Sequence, residues 1–184
     1  MMSMVHEFPC GTRALDFIGT LRARRINEPF DFLTDPAALD AWFDESGLVP
    51  GGVGSSADDF ERAIELREAA FALIWARLHQ REMPAGAVQT VNDFAAKPPV
   101  QVRLEGSSWV ATGNAEQALA QIAREVIEIA GGTETHLLRE CGRDGCTQIY
   151  LDHSRGRRRE WCSMSSCGSR MKAKAYRERK KAAA

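Results

Sequence analysis

Four cysteines in the last quarter of the chain are the residues best suited to chemistry. They form two pairs in the pattern C-x4-C-x15-C-x4-C. A short loop lets both sulfurs of a pair point at one ion, and the longer connection brings the second pair round to complete a tetrahedron. The spacing therefore predicts a structural site for one zinc ion per chain, with four ligands: Cys141, Cys146, Cys162 and Cys167.

Other interpretations of these thiols stay open at this point. Four thiolates also suit an iron–sulfur cluster or a redox dithiol. His153 lies between the pairs and is a candidate substitute ligand, but four cysteines already complete the shell, so we expect it to be unligated. A complete shell leaves no position for water or substrate, so we predict that the metal is structural. The rest of the chain shows no nucleotide-binding glycine loop, nucleophile elbow or metalloprotease helix, so we predict that the protein is not an enzyme. Trp161 is expected to pack over the zinc core.

Basic residues surround the cysteines on both sides. Arginines occupy the loop between the pairs, and cations at intervals of four, three and four residues follow the last cysteine, which places Arg170, Lys174, Arg177 and Lys181 on one helical face. Met171 and Ala175 are expected to turn toward the zinc core. Such cations suit nucleic-acid phosphates. The predicted nucleic-acid contacts are Arg155, Arg157, Arg158, Arg159, Arg170, Lys172, Lys174 and Arg177.

The small net charge of the chain conceals an asymmetry. From residue 139 onward there are 13 lysines and arginines against 5 acidic residues, whereas residues 1–138 contain 11 against 20. A basic end on an acidic body suggests that the basic end meets a polyanion such as DNA. No long apolar run or leader-like N-terminus is apparent, so we expect a cytoplasmic protein without a membrane partner, in which clustered thiols stay reduced.

Before the cysteines, the hydrophobic pattern is mostly helical. We predict helices over residues 13–25, 36–46, 57–82, 88–95 and 115–130, with Asp35, Ser56 and Asn114 as N-caps. The alternating residues around 100–112 predict a β-hairpin. The pair Gly131–Gly132 is the best boundary candidate.

The predicted fold class is mainly α with a small β-hairpin, in two parts. Residues 1–132 form a mostly helical regulatory or effector domain, here called the N-terminal region. Residues 133–184, the C-terminal region, form a small four-cysteine zinc-finger domain of strand, knuckles and basic helix. In the N-terminal region, Cys10 is expected to be a buried thiol, and Asp16 to lie at the surface or at a helix cap.

The C-terminal region resembles the CGNR-type zinc-finger family of bacterial proteins. The matching residues are Tyr150, Asp152, Ser154 and Arg155, then Trp161 to Met164, and Cys167 to Arg170. Ser169 stands where the family name has Asn. The segment LDFIGT at 15–20 is similar to the opening of the family's N-terminal domain, with Gly19 in place of Asn. The resemblance implies a stress-induced transcription regulator whose N-terminal domain senses an effector and whose finger reads DNA.

The leading hypothesis is therefore a DNA-binding transcription regulator with a structural zinc finger. A zinc-stabilised protein-interaction module is the alternative, and RNA binding shares the same electrostatics. The sequence leaves open a small-molecule or protein effector at the N-terminal region, and a homodimer.

Overall fold

The computed structural model describes residues 6–182, so the first five residues, where a leader pattern was sought, and the last two lie outside the described part. Helices dominate, and small antiparallel strand pairs complete the fold, as the sequence predicted. The helices are α1 (Arg13–Ile18), α2 (Pro36–Glu45), α3 (Ala57–Leu78), α4 (Ala85–Ala95), α5 (Ala115–Gly131) and α6 (Ser169–Ala182).

Side-chain caps explain where several of these helices begin. Asp35 accepts a hydrogen bond from the backbone N–H of Ala38 at the start of α2, where Pro36 occupies the first turn. Ser56 opens α3 and Asn114 opens α5, each in a reciprocal capping box with the residue three positions later. These three predicted caps are confirmed, because their chemistry acts within a single turn.

Three antiparallel strand pairs are present in the described part of the chain. The predicted hairpin forms from β3 (Gln101–Glu105) and β4 (Ser108–Thr112). The strand expected in the C-terminal region forms as β6, over residues 149–151. Its pairing and the other short pair were not predicted, because these strands are only two or three residues long. The two pairs are β1 (Leu21–Arg22) with β2 (Phe30–Asp31), and β5 (Leu138–Glu140) with β6 (Ile149–Leu151).

Two predicted helices end earlier than expected. The first was expected to reach residue 25, but α1 stops at Ile18 and the chain turns at Gly19 into β1. The long helix was expected to reach residue 82, but α3 stops at Leu78, and Gln80 takes a positive φ of 53° in the following turn. In both places a turn ends the helix.

The core runs through both regions as one continuous cluster of buried side chains. In the N-terminal region it centres on Trp42, which lies against Phe17 in an edge-on contact with ring centroids 5.1 Å apart. Small buried residues, Ala63 and Ala70, line α3 where it packs in this core. The hydrophobic spacing predicts one buried face of α3 made of Phe60, Ile64, Phe71, Ile74 and Leu78. Of these only Ile74 is fully buried, and Leu66 and Leu73 are buried beside it.

Hydrogen bonds join the two regions directly. The backbone N–H of Leu151 donates to the carbonyl of Cys10 at 3.0 Å, and the side-chain amide of Gln148 donates to the carbonyl of Gly19 at 3.0 Å. A Cβ atom on Gly19 would lie 2.2 Å from Gln148 Oε1, so glycine leaves the space that Gln148 occupies. All of β6 is consequently buried.

An unexpected buried carboxyl lies at this junction. Asp16 is only 6% exposed and accepts a hydrogen bond from the backbone N–H of Cys10 at 2.8 Å, so the expectation of a surface position was wrong. Burial raises the pKa of Asp16 to about 7. Cys10 is buried as predicted, and burial, reinforced by Asp16, raises the pKa of its thiol.

Candidate metal centre and basic surface

The four predicted ligands come together in the C-terminal region. All four sulfurs lie within 4.8 Å of one another, and each cysteine is buried. Cys162 Sγ lies 3.5 Å from Cys167 Sγ, which lies 3.7 Å from Cys146 Sγ. These thiols are not joined in disulfides. His153 is outside the cluster, with Nε2 3.2 Å from a carboxylate oxygen of Glu134.

Backbone turns aim the sulfurs at a common point. Between the first two cysteines, Gly145 has a φ of 74° and the N–H of Cys146 donates to the carbonyl of Arg143 at 2.9 Å. A left-handed residue lets the chain reverse within one knuckle. The N–H of Gly142 donates to the carbonyl of Glu160. This bond joins the turn of the first cysteine pair to the segment that precedes the second pair.

The cluster fits zinc in both size and chemistry. A tetrahedron with Zn–S bonds of about 2.3 Å has sulfurs about 3.8 Å apart, close to the observed separations. Hydrogen bonds from Cys146 and Cys162 hold the pKa of Cys141 well below its usual range, and the bond with Cys141 raises the pKa of Cys146 to about 11. One thiolate thus suppresses ionisation of its neighbour, so four thiolates need a cation. The four cysteines are able to hold one zinc ion.

Trp161 packs against the cluster, as expected. It is half-buried against the core, and a Cβ atom placed on Gly142 would lie 3.4 Å from its ring. A Cβ on Gly168 would approach the same ring at 3.2 Å. The absence of side chains at these two positions lets the indole cover the cysteine turns.

Asp152 organises the loop between the cysteine pairs. It is fully buried and accepts hydrogen bonds from the N–H of Ser154 at 2.9 Å, from the Ser154 hydroxyl at 2.5 Å and from the N–H of Arg159 at 3.1 Å. The Ser154 hydroxyl lowers the pKa of this carboxyl. The sequence analysis assigned Asp152 no separate role, although its place in the family motif could have indicated one.

Arg159 differs from the other predicted nucleic-acid contacts. Its guanidinium donates to the carbonyls of Trp161 at 2.8 Å, Pro9 at 2.7 Å and Cys162, and lies over the Tyr150 ring at 4.3 Å from its centroid. The Tyr150 hydroxyl in turn donates to the carbonyl of Arg159. The side chain therefore joins the finger to the N-terminal region. The sequence analysis placed Arg159 with the neighbouring arginines as a nucleic-acid contact and did not predict this structural role.

The remaining predicted contacts are exposed. Arg155, Arg157 and Arg158 lie in the loop that Asp152 organises, and the other four cations lie on α6. No residue of α6 is buried within its described length, so Ala175 does not turn toward the cysteines as expected, while Met171 is half-buried. A short π-helical turn, Met164–Gly168, joins the last cysteine to α6.

Ser169 begins α6 where the family name has Asn. Its hydroxyl donates to the carbonyls of Ser165 at 2.9 Å and Ser166 at 3.0 Å. These bonds link the π-helical turn to the first turn of α6. The departure from the family pattern therefore keeps a polar contact at the base of the helix.

Together, a helical body, four gathered cysteines and a projecting basic helix define a zinc-finger protein with an N-terminal accessory domain. The family model ABATE, described as a putative stress-induced transcription regulator, matches residues 11–133, and the CGNR zinc finger model matches residues 138–180. The first match covers more than half of the chain, so this protein belongs to that family and carries a CGNR zinc finger. Comparison with curated proteins gives no match.

Proposed function

We propose that this protein is a DNA-binding transcription regulator that acts in a stress response, with zinc serving a structural role and no catalysis. The observation that carries the proposal is α6, a basic helix without buried residues that follows directly on the four-cysteine cluster. The family assignment supports a regulator. The N-terminal region would then sense the effector, and the protein would act in the cytoplasm, as a monomer or a homodimer.

The dimensions of α6 suit a DNA groove. Its 14 residues extend about 21 Å at about 1.5 Å per residue. A DNA major groove about 12 Å wide admits an α-helix. Apart from Glu178, all charged residues of α6 are cations, so approach to phosphates meets little repulsion. Arginines on this helix can contact phosphates and can also read guanine edges.

The loop supports the same proposal. Arg155, Arg157 and Arg158 are exposed. Asp152 holds Ser154 in place, and Ser154 accepts hydrogen bonds from the backbone N–H groups of Arg157 and Arg158. An ordered loop loses less conformational entropy on binding than a free one. Arginine also suits bidentate phosphate contact better than lysine does. Loop and helix would contact the backbone of the same duplex.

The direct test is fluorescence anisotropy of the zinc-loaded full chain with duplex DNA from its own upstream region. We expect binding at low salt, with log affinity falling against log salt by about 0.9 per phosphate neutralised. Arg177→Glu should weaken binding about tenfold or more and reduce the slope by about one. The matched control is Arg103→Glu, which reverses an exposed arginine on β3 and should leave both quantities unchanged.

Two results would contradict the proposal. One is absence of binding to any duplex at low salt by a correctly folded, zinc-loaded chain. The other is equal weakening by both charge reversals, which would indicate unspecific attraction. Competition between duplex DNA and structured RNA separates DNA binding from RNA binding. Loss of a protein complex alone in Arg177→Glu would instead favour the protein-interaction module.

In the described part of the chain, no helix combines the length and apolar character needed to cross a bilayer. The proposed partners are DNA and an effector.

A further inference from the structure

A cleft lies between the β1–β2 segment of the N-terminal region and the cysteine turns of the C-terminal region. Its volume is about 490 Å³, within the range of about 300 to 1,000 Å³ typical of small-molecule sites. Apolar side chains of Ile26, Phe30 and Phe32 line one wall. The opposite wall belongs to the turns that carry Cys146 and Cys167, so the cleft spans both regions.

The apolar side chains of this wall are unusually exposed to solvent. Phe30 is 59% exposed and Ile26 is 50% exposed, although Phe30 also makes an edge-on contact with Phe32 at 4.7 Å between centroids. Exposed aromatic residues grouped in a concave site mark binding surfaces more often than scattered ones do. An apolar ligand body would cover these side chains.

Three guanidinium groups line the same cleft. Arg22 lies over the Phe32 ring and pairs with the half-exposed carboxylate of Glu7. Arg143 donates from Nε to Cys167 Sγ at 3.1 Å. Arg170 is exposed and belongs to the first turn of α6. Asp144 is an acidic side chain of the same cleft, and the zinc-bound thiolates of its cysteine wall are also negative, so an anion would be recognised by direct contacts with the guanidinium N–H groups and not by the net charge of the cleft.

The wall is held in place before any ligand arrives. Asp31, next to Phe30 on β2, receives two hydrogen bonds from the guanidinium of Arg67, at 2.6 and 2.8 Å. Arg67 is buried on α3 and also donates to the hydroxyl of Thr20. A bidentate pair with a buried guanidinium fixes β2 on the helical body. A preformed site loses less entropy when it binds.

We propose that this cleft binds a small organic anion, with its aromatic or branched apolar body on Phe30, Phe32 and Ile26 and its anionic group among Arg22, Arg143 and Arg170. The last of these arginines is also a proposed DNA contact. Occupancy of the cleft therefore withdraws Arg170 from phosphate and weakens DNA binding, a consequence that rests on the proposed function. The cleft would be the effector site of the regulator.

The ligand site is tested without DNA, using the zinc-loaded full chain and 1-anilinonaphthalene-8-sulfonate, an aromatic anion whose fluorescence rises on binding. Its counterpart N-phenyl-1-naphthylamine has the same apolar body without the sulfonate. We expect the anion to bind at least about tenfold more tightly than the neutral compound, because the guanidinium groups contact only the sulfonate.

Variants locate the site. Phe30→Ser and Ile26→Asn change exposed side chains, and each should weaken binding of the anion about tenfold while circular dichroism stays unchanged. The matched control is Trp109→Ser, which removes a 61% exposed aromatic from β4, away from the cleft, and should leave binding unchanged. Equal affinities for the two compounds, or loss of binding in Trp109→Ser instead of the cleft variants, would overturn the proposal.

A final titration separates this inference from the proposed function. Saturating sulfonate should weaken DNA binding of the wild type several-fold and leave that of Phe30→Ser unchanged. Unaltered DNA affinity with an occupied cleft would overturn the effector role. Absence of DNA binding under all conditions would instead reject the proposed function, while the affinities of the two fluorescent compounds still decide the ligand site.

Discussion

Replacing Arg159 by alanine should destabilise the fold far more than replacing its neighbour Arg158. Arg159 donates hydrogen bonds to three backbone carbonyls and lies over Tyr150, whereas Arg158 is exposed. Each hydrogen bond from a charged donor contributes about 1.5 to 3 kcal/mol, and a cation–π contact about 0.5 to 2 kcal/mol. The low ends of these ranges total about 5 kcal/mol, and because the side chain is half-buried, solvent screening reduces this further, so we expect a loss of about 3 to 5 kcal/mol.

The assay is urea unfolding of the zinc-saturated full chain, followed by far-ultraviolet circular dichroism. Arg158→Ala should change the free energy of unfolding by less than about 0.5 kcal/mol, as is usual for an exposed residue. DNA binding should show the opposite order. Arg158→Ala should reduce the salt slope by about one, since it removes a phosphate contact, and Arg159→Ala should leave the slope unchanged wherever it is folded.

Two outcomes would refute this reasoning. If both variants unfold at the same urea concentration, the contacts of Arg159 with Pro9, Trp161 and Cys162 contribute nothing measurable. If Arg159→Ala lowers the salt slope as Arg158→Ala does, its guanidinium reaches phosphate in the complex. Elemental analysis of both variants provides the control that the metal site is intact.

Three further predictions concern the junction and the metal. Elemental analysis should give one zinc per chain. Cys162→Ser should lose the metal and lower the unfolding temperature of the whole chain, because the core is continuous. Two separate unfolding transitions in this variant would contradict the prediction. Asp16 has its pKa raised from 3.8 to about 7, so the folded state holds the proton more tightly and stability falls as pH rises from about 4 to 7. The full shift corresponds to at most about 4 kcal/mol, and Asp16→Asn should remove this decline in urea unfolding at several pH values; an identical pH profile would exclude the carboxyl as its source. Gly19→Ala should cost about 1 to 3 kcal/mol by clashing with Gln148, and much less in a Gln148→Ala background; additive free energies in this double-mutant cycle would disprove the clash.

Local patterns accounted for much that could be predicted. Helix caps and hairpin turns depend on residues within a few positions of one another, so they can be predicted from sequence. This holds for the caps at Asp35, Ser56 and Asn114 and for the hairpin around Gly106. The cysteine spacing is likewise a short-range pattern, since one knuckle needs only a few residues to aim two sulfurs.

The junction could not be predicted in this way, because its partners are distant along the chain. Gln148 meets Gly19 across 129 positions, and Arg159 meets Pro9 across 150. No periodicity relates such residues, and Gly19 read alone indicates only a weak helix. Its function as space for another side chain emerges once Gln148 lies against the end of α1.

By itself, the sequence determined the mainly helical class, the four thiols suited to zinc and the concentration of positive charge after them, since composition and short spacing encode these directly. Only the tertiary structure decided which arginines are available. Burial and carbonyl acceptors bind Arg159 into the fold, while Arg157 and Arg158 stay exposed. It also placed Phe30 beside the cysteine turns, since a cleft between two regions exists only when both are folded.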